Sequence, residues 1–460
     1  MPIYTHIMIK KTLSADLAEF TILEEVMGVI SLELNELNFD VVKQYIADGE
    51  LSNFAALLEK CQIRETVSEK KYRNLEPWIQ WPTVYSGLDY EGHGLFRLGD
   101  CIDISHQQIF ERIESMADRP VVAISPMNAV NKVSDRSIFI PDPWTKTDVT
   151  GPWDCQIMSK IVNKLVNNNS HGLGLTLKDA VLFLACLAKN VNIRLLMPLF
   201  KEVVRSIKHK WAKPLVLDLV LSMLFISKVD KLNPVYASLF LNAGAHIQHH
   251  YTFSSAKYKG KLSNPEWFIK RDVDPLLAVY KVYDRILGVI SKVYPDKTVF
   301  IATGLSQLPN PKMINYYRPK DHLSLLSRLG FDGSFVSLDP RMSRDFLVNF
   351  NSQVEAELFT QRLMDVKLTD GSQLFEADLR SNSVFCKVAY HGLPESDLQV
   401  VRDGDTGLDF AAEFSHVTIE NGIHRTTGYL VRTDKSEFSQ EESSIPLKSV
   451  HDELVTSCAA

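Results

Sequence analysis

Apolar runs of strand length alternate with stretches of helical period along much of this chain. Met27-Gly-Val-Ile-Ser-Leu-Glu-Leu is one such run, and it ends in the polar group Asn35-Glu36-Leu37-Asn38. Phe39 to Leu58 then reads as helices broken by an Asp48-Gly49 turn. Gln107 to Met116 has helical spacing and leads into a strand pattern, Pro120 to Ser125. Tyr236 to Ala245 reads as a buried strand and its exit loop. Leu276 to Val293 is helical in pattern and precedes the strand Lys297 to Ala302. This alternation predicts the α/β class, with a doubly wound, mostly parallel sheet. Sheets of that kind place ligands at the carboxyl ends of their strands.

Two segments depart from the rhythm. Ile157 to Lys228 is almost entirely helical, with Ile157, Ile161 and Leu165 at helix spacing, and reads as a cap insertion over the ligand edge. Arg344 to about Gly392 reads as a small α+β insertion: a strand, a helix over Ser352 to Met364, and two strand patterns, Leu374 to Ala377 and Ser383 to Tyr390. The expected organisation is an N-terminal extension (1–26) and a core in three pieces (27–150, 233–343 and 405–432). The helical cap falls at 151–232 and the α+β insertion at 344–404. The stretch from 433 to 460, rich in Ser, Glu and Lys, reads as a disordered tail.

Composition narrows the function classes. A net charge of -6 over 460 residues offers no basic face for a nucleic-acid backbone. Lys201 to Lys213 is locally basic but sits on a helical pattern, the mark of a solvated face. No apolar stretch is long enough to span a bilayer, so no membrane partner is expected. Six scattered cysteines without a CxxC pair, and a start lacking a signal-peptide core, point to a reducing, cytoplasmic setting.

The densest chemistry is His246-Ile247-Gln248-His249-His250, three imidazoles in five residues at the end of an apolar run. Imidazoles there fill a core poorly and bind metals or oxyanions well; the other reading is a hydrogen-bonded, partly exposed histidine group. Polar residues at the predicted ligand edge include Glu33, Asn35, Glu36, Gln80, Arg97 and Asn128. Glu33 can act as a base or simply accept hydrogen bonds within a strand. Arg97 can pair with Asp100 or clamp a phosphate or sulfate through two N–H groups.

Several segments in order resemble the alkaline phosphatase superfamily, in its type I phosphodiesterase and nucleotide pyrophosphatase branch. The strand and polar turn Ile30 to Asp40 are similar to the family's opening strand and metal-ligand loop. Gly49-Glu-Leu-Ser-Asn-Phe54 matches its helix end. Pro77 to Gly87 followed by Tyr90-Glu-Gly-His93-Gly94 follows its nucleophile segment and Pro-x-x-His-Gly. Gly422-Ile-His424-Arg425-Thr-Thr-Gly428 is similar to its late Gly-x-His-Arg-x-x-Gly, whose His binds a metal.

The resemblance implies two divalent metals and a Thr or Ser nucleophile, and this chain departs from that set. The first Asp falls on Asn35, the nucleophile on Pro77, and the mid-chain Asp on Ala245; Thr303-Gly-Leu-Ser306-Gln307 stands in place of Ser-Asp-His-Gly. His249 and His424 remain at matching positions, with His246 or His250 as a third ligand. The resemblance thus implies an alkaline phosphatase-like fold with a reduced site holding one Zn or Mn. The expected activity is hydrolysis or transfer of an anionic phosphate or sulfate ester, on a nucleotide, sugar phosphate or polysaccharide precursor. Glu33, Asn35, Glu36 and Gln80 are the catalytic candidates, with Glu76 a further possible base, and Arg97 and Asn128 are the ligand-binding ones. A retired scaffold that only binds its ligand is the alternative, and metal-free acid–base chemistry a third.

Overall fold

The computed structural model describes residues 28–167, 176–340, 344–402, 405–434 and 443–459. The expected N-terminal extension lies outside them. The first third of the chain runs β1 (Val29–Leu34), α1 (Phe39–Ala47), α2 (Ser52–Leu58), β2 (Ile63–Val67), α3 (Pro77–Ser86), α4 (Tyr90–His93), α5 (Ile109–Ala117), β3 (Val121–Ile124) and β4 (Ile138–Ile140). Four helices follow: α6 (Trp153–Asn167), α7 (Leu177–Lys189), α8 (Ile193–Lys208) and α9 (Lys213–Leu232). The chain returns to the sheet through β5 (Tyr236–Leu241), α10 (Ala243–Tyr251), α11 (Pro275–Val293) and β6 (Thr298–Ala302).

A long strand, β7 (Ser306–Pro319), leads out into a smaller lobe. The lobe comprises α12 (His322–Arg328), β8 (Ser337–Pro340), β9 (Asp345–Asn349), α13 (Gln353–Met364), β10 (Lys367–Leu368), β11 (Phe375–Arg380), β12 (Ser383–Val388), β13 (Gln399–Arg402), β14 (Asp405–Asp409) and α14 (Phe410–Glu413). The chain comes back along β15 (Phe414–Arg425) and finishes with β16 (Thr427–Arg432), β17 (Ser444–Pro446) and α15 (Ser449–Ala459).

The central sheet has eight strands in the order β17-β2-β16-β6-β1-β5-β3-β4. From β6 to β4 every pairing is parallel, while β16 pairs antiparallel with both β6 and β2. All six residues of β1 and of β5 are buried, because helices cover both faces, as parallel sheets require. Ile30, Leu32 and Leu34 pack on the face covered by α1, α2, α9 and α11; Val29 faces the opposite core, with Trp81, Tyr85 and Phe110 of α3 and α5. Side-chain alternation along the strand divides the two. Distant residues help set the helix ends. Leu51 gives α2 no side-chain cap, and Asp284 of α11 instead accepts the Asn53 and Phe54 N–H groups at 2.9 and 2.8 Å.

The described residues of 151–232 are largely helical and lie against one face of the sheet instead of forming a separate cap. α9 packs directly on β3 and β5, and α8 packs on α9 and α11, so this block thickens one face of the sheet. The lobe's own core runs from Tyr317 to Phe414, wider than 344–404 at both ends, because β7 and β15 form a two-stranded ribbon that carries the chain in and out.

The C-terminal stretch is not a disordered tail where it is described. β17 adds to the sheet edge beside β2, and α15 buries Val450, Leu454, Val455 and Cys458 against α3 and α5. Glu453 of α15 bridges Arg64 at 2.5 Å and Arg432 at 2.8 Å. The helical spacing of those four apolar residues outweighs the polar composition around them.

Candidate metal centre

The chain leaves β1 through a turn stitched to both neighbouring strands. Asn35 N–H donates to Leu241 O at 3.1 Å and Glu36 N–H to Thr303 O at 3.0 Å, at the carboxyl ends of β5 and β6. Glu36 has a φ of 60°, a left-handed conformation uncommon for a residue with a side chain. Gln248 of α10 holds this backbone by donating to Glu36 O at 2.8 Å, and Tyr280 in turn donates to Gln248 at 2.9 Å. His249 is the next residue on α10, so the helix that fixes the turn also delivers an imidazole to it. His424 arrives from β15.

Three atoms converge. Glu36 Oε2 lies 3.2 Å from His249 Nε2 and 3.2 Å from His424 Nε2, and the two nitrogens are 3.1 Å apart. The far nitrogen of each ring faces an oxygen: His249 Nδ1 lies 3.1 Å from Gly422 O, and His424 Nδ1 lies 3.7 Å from Glu76 Oε2. A proton on Nδ1 leaves the Nε2 lone pair free to point inward, the tautomer that metal-binding histidines adopt. Tetrahedral zinc with bonds of about 2.0–2.1 Å has edges of roughly 3.3 Å between ligand atoms. The observed triangle is within a few tenths of that, and its donors (two imidazoles and one carboxylate) are the types a borderline cation takes. The residues fit a single divalent metal.

The carboxylate and the imidazoles here favour each other's charged forms. Burial alone would raise the Glu36 carboxyl, but the imidazoles of His424 and His249 override it and hold it well below the usual carboxylate range. Burial would lower His424, yet the Glu36 carboxylate lifts it to about 9. Two more carboxylates stand close by. Glu76, preceding α3, and Glu420, on β15, are both pushed up by burial, against the opposing pull of His424 and His249. Glu420 accepts from Asn310 at 3.1 Å and from the Tyr316 hydroxyl. Gln307 donates to Glu36 Oε2 at 2.5 Å and to Ala245 O at 3.1 Å.

The candidates read from sequence separate here. Glu36, His249 and His424 come together. Asn35 is adjacent but structural: it donates to Asn242 at 2.8 Å and Glu36 at 3.2 Å and accepts from Trp81 at 2.7 Å. His246 and His250 are not in the group. His250 Nδ1 lies 3.0 Å from Ile419 O, and His246 stacks edge-on against His250. The third donor comes from Glu36 because the left-handed turn presents the residue after Asn35.

The remaining candidates lie elsewhere. Glu33 lies on the opposite sheet face, accepting from Tyr85 at 2.6 Å, with burial pushing its carboxyl up to about 8. Gln80 is buried and donates to Asn74 O at 2.7 Å. The Arg97 side chain is exposed; its backbone N–H donates to the Asp100 carboxylate at 2.8 Å and its carbonyl accepts the Asp100 N–H at 3.2 Å. Asn128 holds backbone groups of Trp78, Arg97 and Gly99. Gln307 and Glu420 were missed. Glu420 is four residues before His424 on one strand, and Gln307 is the cross-strand partner of His424 in register, signals that need the β7–β15 pairing to be known.

No protein-family model matches the chain, and no curated protein matches it. Solved structures similar to it include the Sinorhizobium meliloti phosphonoacetate hydrolase, at 10% identity and a TM-score of 0.43 over 94% of this chain and 96% of that one. The alkaline phosphatase PafA is similar at 10% identity and a TM-score of 0.44 (93% and 95% covered). Murine ectonucleotide pyrophosphatase/phosphodiesterase 5 is similar at 10% and 0.38 (94% and 95% covered).

Proposed function

We propose that this chain is an alkaline phosphatase-like hydrolase or transferase of an anionic phosphate or sulfate ester, working with one divalent metal, Zn or Mn. Glu36, His249 and His424 would hold the ion. The observation that carries the reading is the triangle of Oε2, Nε2 and Nε2 atoms at 3.1 to 3.2 Å, with an oxygen behind each imidazole. A bound divalent cation polarises the ester oxygen and lowers the pKa of attacking water.

The chain's own groups supply the rest. Pro77 opens α3, at the position the resemblance gives to a nucleophile, and has no hydroxyl. Attack therefore falls to water or an acceptor hydroxyl rather than to a covalent enzyme intermediate. Glu76 is the base best placed to take that proton: it sits one residue before Pro77, 3.7 Å from His424 Nδ1, with its carboxyl raised by burial. Gln307 and Gly422 O keep Glu36 and His249 in place. A small anionic substrate such as a nucleotide, a sugar phosphate or a polysaccharide precursor, in a reducing cytoplasmic setting, suits the site and the free cysteines.

The test is elemental analysis of the purified full chain beside His424→Ala, with turnover of a nitrophenyl phosphodiester. One equivalent of metal lost in the variant, together with metal-dependent turnover, supports the proposal. Equal metal in both would dispose of it. The absence of a hydroxyl at Pro77 favours a second reading, a scaffold that binds an anionic ester without turning it over; tight calorimetric binding of a nucleotide sugar with no turnover under any metal would select it.

A further inference from the structure

The outward side of α8 is more apolar than the side it buries. α8 buries Leu195, Leu199 and Glu202. At 3.6 residues per turn the opposite arc holds Ile193, Leu196, Met197, Phe200, Val204 and Ile207. Ile193 is 81% exposed, Met197 71%, Phe200 63% and Ile207 80%. α7 repeats the pattern with Leu177 at 83%, Val181 at 58% and Leu184 at 62%. The six side chains on α8 alone offer on the order of 700 Å² of apolar surface, beyond the few hundred that a soluble monomer ordinarily exposes.

Charge identifies what covers it. From Thr176 to Lys213 there are eight Lys or Arg residues against two carboxylates, a net of +6 in a chain whose total is -6. Both carboxylates, Asp179 and Glu202, are buried and paired, with Lys164 and Arg205. Arg194, Lys201 and Lys208 are seven residues apart, so they form one stripe along a flank of the apolar arc. Exposures of 80% or more at Leu177, Ile193 and Ile207 mark protruding tips. Protruding apolar side chains beside a row of cations match a layer of anionic headgroups over hydrocarbon. A second copy of this chain would bring a further set of uncompensated cations to the contact.

We propose that the exposed face of α8 is a docking surface for an anionic lipid bilayer, with the apolar arc entering the headgroup boundary and the basic stripe at the phosphates. Attachment is peripheral, since no helix among the described residues is long and apolar enough to cross a membrane. The surface is separate from the metal centre, so the inference stands or falls independently of the proposed reaction.

Vesicle flotation of the full chain tests it. Phosphatidylcholine vesicles carrying about 30 mol % phosphatidylglycerol should take up the protein roughly tenfold or more better than pure phosphatidylcholine, and the difference should shrink with added salt. Phe200→Ser with Ile207→Ser, and separately Lys201→Glu with Lys208→Glu, should each abolish uptake while the melting temperature stays unchanged. Equal uptake by neutral vesicles, no uptake by either, or uptake surviving both double variants would overturn the proposal. So would sedimentation showing a dimer that Phe200→Ser with Ile207→Ser dissolves, with no vesicle binding: that result assigns the face to a second copy.

Discussion

Two polar turns follow central strands in this protein, and they spend their hydrogen bonds differently. After β1, Asn35 and Glu36 connect to other side chains, and Glu36 Oε2 ends in a cluster with two imidazoles and an amide. After β3, Asn128 gives its whole amide to backbone groups. It accepts the Gly99 N–H at 2.8 Å and donates to Trp78 O at 2.7 Å and Arg97 O at 3.2 Å. Asp142 beside it accepts the N–H groups of Asn128, Trp144 and Thr145. Both turns use left-handed residues with side chains, Glu36 in the first and Ser125 and Asn128 in the second. Backbone strain alone therefore does not mark a site. What separates them is whether polar capacity is consumed by the main chain or left converging on an open point.

Removing the convergent carboxylate should have the largest effect. Glu36→Gln should weaken metal binding beyond the roughly 10- to 100-fold that loss of an outer-shell partner costs, measured by chelator competition; near-normal affinity would erase the distinction between the turns. Glu76→Gln comes next, with kcat lowered about 100-fold and metal affinity within a few-fold of the parent. Loss of metal together with activity would make Glu76 a ligand instead of a base.

Asn128→Ala should act in the opposite sense. Leaving several buried backbone groups unpaired costs about 2–3 kcal/mol of stability, seen in denaturant unfolding, with metal affinity unchanged. A fourth effect is read against pH and concerns Glu33, buried on the other sheet face. Its folded pKa of about 8 lies above the unfolded value of about 4.3. The native state therefore holds the extra proton, and the wild type loses stability as pH rises from near 4 toward 8. Glu33→Gln has no such proton to lose, so its melting temperature should gain on the wild type across that window. A constant difference would show that Glu33 is ionised throughout.

The sheet was legible because β1, β3, β5 and β6 are buried on both faces and so read as continuous apolar runs. The imidazole pair was legible as well, since His249 and His424 sit in recognisable local patterns. The third member of the cluster was not legible: sequence offered His246 or His250 beside the pair, and a φ of 60° at Glu36, read as a catalytic candidate, turns its carboxylate toward the histidines. Arg97, Asn128 and Gln80 looked functional because composition cannot tell a side chain that braces main chain from one that faces a ligand. α15 was lost for a related reason, its four buried apolar residues being diluted by Ser, Glu and Asp.

The β7–β15 ribbon has one more consequence. Glu36 and His249 are anchored to the rigid sheet and its helix, whereas His424 rides on a strand whose other end belongs to the smaller lobe. Any tilt of that lobe reaches all three corners, His424 directly and Glu36 and His249 through Gln307 and Gly422 of the same ribbon. Occupancy of the centre and posture of the lobe are thereby mechanically tied, and hydrogen exchange along Phe414–Arg425 should slow on loading with metal while β1 stays unchanged.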